Sequence, residues 1–61
     1  MNMLKLIGRM CKKYRTEVLK VPQSIVANET GYSVENVSKF ECGKTNNLKI
    51  YLWYEKRGFK L

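Results

Sequence analysis

The chain has no histidine and no aspartate, a single proline (Pro22) and only two cysteines in 61 residues. It also lacks a Gly-rich phosphate loop, and neither cysteine stands near a base at a recognisable spacing. The usual residue sets for nucleophilic, acid–base and nucleotide-hydrolysing chemistry therefore cannot be assembled, and an enzyme is not expected. Cys11 and Cys42 cannot complete a zinc site by themselves. A disulfide between them is chemically allowed, but a reduced chain needs none, and each reads as a small apolar side chain. No metal or cofactor is expected. No apolar run approaches the ~20 residues that span a bilayer. The start, MNMLKLIGRMCKKY, has neither the apolar stretch nor the small-residue cleavage site of a signal peptide. The expectation is a cytoplasmic protein with no membrane partner and no small-molecule substrate. Its length allows one domain, residues 1–61, with a core near the lower limit for folding alone.

Positive charge is what the sequence does have. Twelve Lys and Arg stand against five Glu, a formal net charge of +7. A small chain this basic meets a polyanion more often than not, and the alternative is that the lysines only maintain solubility. Residues 4 to about 16 read as a first helix, because Leu4, Ile7, Met10, Cys11 and Tyr14 recur three and four apart. Lys5, Arg9, Lys12 and Lys13 fall mostly on its other side, where they can sit near phosphates. Between Glu17 and Lys20 the pattern breaks, and a loop is expected.

The segment 22–43 reads as two short helices around a tight turn. Pro22 suits a first helical turn. Val26 and small Ala27 form a buried side, and Ile25 falls toward the rim. Gly31 takes a turn position where positive φ would strain other residues. Ser33 caps the next helix, with its hydroxyl accepting from the Asn36 N–H. Val37 and Phe40 point inward, and Gly43 is a stop. Thr45-Asn46-Asn47 is a polar break before a last helix of about 48–57. That helix is apolar on more than one face, which is the mark of burial or of pairing with another chain. Full burial in so short a chain is not expected, so Ile50, Trp53 and Tyr54 are candidates for a dimer or partner surface. Gly58 ends the helix, leaving Phe59-Lys60-Leu61 as a short tail.

Taken in order, Ile7-Gly8, Arg15, Gln23, Val26-Ala27, Gly31, Ser33, Val37-Ser38-Lys39 and Glu41 with Gly43-Lys44 form a pattern. It resembles the phage repressor and Cro-type (xenobiotic-response-element-like) helix-turn-helix family, over about Ile7 to Lys44. The resemblance implies an all-α, lambda-repressor-like bundle of four to five short helices. It implies a small sequence-specific transcriptional regulator of phage or mobile-element type, reading the major groove of double-stranded DNA with residues 34–42. It places Gln23, Lys44 and Thr45 on backbone phosphates. Ser33, Val34, Glu35, Asn36 and Lys39 would line the exposed side of the recognition helix. Of these, Asn36 suits an adenine edge, Val34 a thymine methyl and Lys39 guanine or phosphate. The resemblance also implies an ion pair between Arg15 and Glu41, and a homodimer on two half-sites about one helical turn apart.

The chain departs from the family pattern at several places. One extra residue lies in the first loop where a Gly is usual, Pro22 replaces a Ser or Thr cap, and the Pro common after Gly-Lys is missing. Residues 23–42 carry Glu29, Glu35 and Glu41 against Lys39, a net of −2. An acidic reading segment repels phosphate, although Glu35 can accept from a cytosine amino group. The same acids, with Tyr51-Leu52-Trp53-Tyr54, suit an alternative: a protein-binding module of the same fold, such as an antirepressor or host-factor-binding protein.

Overall fold

Asn2 starts the first helix. Its side-chain oxygen accepts from the backbone N–H of Leu4 at 2.9 Å and of Lys5 at 3.3 Å, satisfying two donors that no helical carbonyl can reach. In this computed structural model, which describes residues 2–61, helix α1 then runs Met3–Tyr14. Gly8 and Cys11 are buried along its inner row, with Leu4, Ile7 and Tyr14 half-buried beside them. Met10, expected on that face, is 37 % exposed and sits at the rim.

The expected loop at 17–20 is instead helical. Arg15–Leu19 forms a wider, π-helical turn that continues α1, and it ends at Lys20 with φ 56° and ψ 43°. Such a turn takes up one more residue than an α-helical turn does. A helix that widens instead of stopping needs no Gly or Pro to mark a break. Lys20 occupies the left-handed region in place of a glycine, a strained position for a residue with a Cβ.

Helix α2 spans Gln23–Thr30 and α3 spans Val34–Glu41. Between them, Gly31 has φ 81° with nothing within 4 Å of a would-be Cβ, so its requirement is dihedral and not steric. Ser33 Oγ accepts from the Asn36 N–H at 3.2 Å and sets the start of α3. Ala27 and Val37 are both buried where the two helices meet. Helix α4, Leu48–Lys56, is capped by Asn47, whose side-chain oxygen accepts from the Ile50 N–H at 3.2 Å. Among the described residues there are four α-helices, the π-helical turn and no strand. The radius of gyration, 10.2 Å, matches the roughly 10.5 Å of a normally packed chain of this length.

The last helix corrects an expectation. Ile50 and Tyr54 are fully buried and Trp53 is 7 % exposed, so none of the three can serve as a dimer or partner surface. Helix α2 packs on this helix, and the rest of the cover lies just beyond its end. Gly58 reverses the chain at φ 102°, and Phe59, expected in a free tail, turns back and is buried. Its ring meets Tyr14, Tyr51 and Tyr54 at centroid distances of 5.6, 6.2 and 6.3 Å. The Tyr14 hydroxyl donates to the Arg57 carbonyl at 2.8 Å and pins this turn to α1. Phe40 stacks on Tyr54 from the other side at 6.2 Å. One core of Cys11, Val26, Ala27, Val37, Phe40, Ile50, Trp53, Tyr54 and Phe59 results. The large apolar side chains that α4 leaves exposed are Leu48 and Leu52.

Helix α1 lies directly on the end of α3 because Gly8 has no side chain. A Cβ there would fall 2.5 Å from the Phe40 carbonyl oxygen and 2.6 Å from that of Glu41, both fixed backbone atoms. Gly8→Ala should therefore cost about 1–3 kcal/mol, as overpacking does elsewhere. Thermal unfolding of the two proteins measures it. An unchanged melting temperature would show that α1 shifts freely over α3.

Candidate nucleic-acid interface

The carboxylate of Glu41 is the polar centre of the molecule. Arg15 Nε donates to Oε2 at 2.8 Å and Arg15 Nη2 to Oε1 at 3.1 Å, a two-point contact that fixes the guanidinium in plane. Gln23 Nε2 donates to Oε1 at 3.0 Å, and the Tyr54 hydroxyl donates to Oε2. Arg15 Nη1 reaches on to the Val21 carbonyl at 2.9 Å. Arg15 and Glu41 are 6 % and 4 % exposed, and among the described residues no buried side-chain polar atom lacks a partner.

Burial is the largest influence on the Glu41 carboxyl and by itself pushes its pKa up. The hydrogen bonds from Arg15, Tyr54 and Gln23, with the Arg15 charge, outweigh burial and hold it below the usual carboxylate range. Tyr54 moves the other way, since burial and its bond to Glu41 keep the phenol protonated as a donor. Burial, with the Glu41 charge, pushes the Cys11 thiol up to about 12.

A second acid, Glu29 on α2, is also tied from outside its own segment. Its Oε1 accepts from Trp53 Nε1 at 2.8 Å and pairs with Arg57, whose guanidinium lies 4.6 Å from the Trp53 ring centroid. The Trp53 hydrogen bond, ahead of the Arg57 charge, holds the Glu29 carboxyl below its ordinary value. The −2 of residues 23–42 is thus met by Arg15 and Arg57, which bring the sum to zero.

The remaining residues of the expected interface fall in two groups. Ser33, Val34, Glu35, Lys39, Lys44 and Thr45 are exposed, and Asn36 is half-exposed. Glu35, Lys39 and Cys42 stand four and three apart, one outward row of α3 opposite buried Val37, Phe40 and Glu41. Gln23 is half-buried, and one of its two amide hydrogens is committed to Glu41, so a single donor is left for a phosphate. Lys44 follows Gly43 in the loop closing α3, where the Lys44 N–H donates to the Lys39 carbonyl at 2.9 Å. Sequence reasoning missed the link between Glu29 and Arg57, because residues 28 apart carry no local spacing that would join them. It also missed the shared cleft between α1 and Cys42, lined by Lys5, Arg9, Lys12, Glu41 and Cys42. The three-and-four spacing of those bases was the available signal.

Among the described residues no cluster of three potential ligands could hold a metal ion, and no helix is long and apolar enough to cross a membrane.

Removing Arg15 leaves a buried, unpaired carboxylate. Arg15→Met should cost about 3–5 kcal/mol, and adding Glu41→Gln to it should recover part of that loss. Denaturant unfolding of the single and double variants measures both. The depressed Glu41 pKa gives stability that is present above the ordinary carboxylate value of about 4.3 and lost as pH falls through the lower folded value. The melting temperature of the native chain should hold from neutral pH to about 5 and fall steeply below about 4. In Glu41→Gln, which has no proton to take up there, the acid fall should be shallower.

No protein-family model, no curated protein and no solved structure matches the chain.

Proposed function

We propose that this chain is a small sequence-specific regulator that binds double-stranded DNA, reading the major groove with the exposed face of α3. The observation that carries the reading is how the acids are disposed. Glu41 and Glu29 are each matched by an arginine from another element, which leaves Ser33, Val34, Glu35, Asn36 and Lys39 as a surface with one acid and one base. A reading helix needs such a surface: polar at its tip, with its repulsive charge cancelled behind it. Helix α2 begins at Gln23 with no side-chain cap, which leaves the N–H groups of Gln23 and Ser24 for an anion, while that of Ile25 donates to the Pro22 carbonyl. Occupancy of an operator would be the mechanism, with no catalytic step.

The protein-binding alternative drew on an exposed aromatic α4. Trp53 and Tyr54 are inside the core, so that stretch offers exposed Leu52 with half-buried Tyr51, and Glu35 is the unpaired acid on α3 that favours the alternative. A second copy would have to use other residues of α4, among them Leu48 and Leu52.

Selection from a random duplex pool, repeated across salt concentrations, tests the proposal. The native chain should enrich a restricted set of sequences and lose affinity as salt rises. Asn36→Ala should cost about 1–3 kcal/mol on the enriched sequence and little on others. Absence of both enrichment and salt dependence would exclude DNA as the ligand. Recovery of a protein from nuclease-treated lysate, together with that absence, would favour the alternative.

A further inference from the structure

Helix α1 carries three bases in one row. Lys5, Arg9 and Lys12 stand four and three apart, on the side of α1 next to the end of α3. They line a shallow concavity with Cys42, the last residue of the outward row of α3, and with the neutralised Glu41. The row joins the loop after α3 by direct packing: a Cβ on Gly43 would fall 2.5 Å from Lys5 Cα and 2.7 Å from Lys5 N. Lys44 is the next residue. The row is therefore continuous at one end with Lys44 and along its flank with α3.

We propose that Lys5, Arg9 and Lys12, with Lys44, form a seat for the sugar-phosphate backbone of one DNA strand beside the groove that α3 reads. This rests on the DNA reading above and says where the grip comes from. Three observations carry it. The row has the charge that α3 lacks: three bases, and Glu41 as the one acid lining the concavity, its carboxylate already occupied by Arg15, Gln23 and Tyr54. Its geometry fits, because seven residues of helix span about 10.5 Å, the axial length of about three phosphates on one strand. All three side chains are exposed, and none is paired with a carboxylate in a salt bridge. Three other bases do not line this concavity: Lys13 and Lys60 line a separate groove with Phe59, and Lys56 lies by Glu29.

The test compares two variants of equal net charge, Lys5→Gln/Arg9→Gln/Lys12→Gln and Lys13→Gln/Lys56→Gln/Lys60→Gln, on a mixed-sequence duplex and on the enriched duplex. The first should bind both duplexes at least about tenfold more weakly at low salt. The slope of log affinity against log salt should also fall by about 2 to 3. The second should retain most of the affinity and slope. Equal losses in the two variants overturn the proposal, since net charge alone would then act. So does an unchanged slope in the first, which would leave the DNA reading standing. A native chain that binds no duplex overturns both. Resonances of Lys5, Arg9 and Lys12 in the unmodified chain, followed as duplex is added, give a second measure independent of the variants' folding. They should shift, and shifts confined to α3 and Lys44 overturn the seat.

Discussion

The Glu41 carboxylate holds four pieces of chain at one point. Arg15 reaches it from the π-helical turn, Gln23 from the start of α2, and Tyr54 from the inner face of α4, while Glu41 itself ends α3. A 61-residue chain buries too little apolar surface to fix the angles between four short helices by packing alone. Apolar contacts tolerate sliding, whereas a carboxylate with three directional donors does not. The buried pair is costly in desolvation, and its return is a single arrangement of the elements more than raw stability. Everything placed on α3 inherits its orientation from this bond.

How far the sequence made this legible depended on how local each signal is. Gly31, Ser33 and Gly43 act through their own backbone angles or the next turn, and the helix boundaries they imply are those found. Arg15 and Glu41 lie 26 apart, and only their resemblance to an ordered family pattern joined them. The final helix misled because apolar residues on several sides can be covered in more than one way. What covers them here is α2 together with Phe59, five residues beyond Tyr54 through a turn, and a residue in a three-residue tail gives no periodicity to read. The first loop misled for the opposite reason, since a helix that widens instead of stopping needs no breaker.

Charge follows the same division. Counted along the sequence, the reading segment is acidic; counted in space, it is neutral, because Arg15 and Arg57 fold onto Glu41 and Glu29. The surplus that gives +7 therefore resides on α1, the loops, the first turn of α4 and the C-terminal tail. On the proposed DNA reading, discrimination and attraction would fall to different helices. A surface that must tell one sequence from another can then stay nearly uncharged.

The widened turn at Arg15–Leu19 bears on how such a chain can change over generations. An extra residue inside an ordinary α-helix rotates all that follows by about 100°, which would carry Arg15 or α2 away from its partners. Here the surplus is taken up within five residues and discharged at Lys20, so that Val21 and Gln23 still arrive beside Arg15 and Glu41. Insertion or deletion of one codon at this place alters the width of a turn and leaves the frame of contacts beyond it intact.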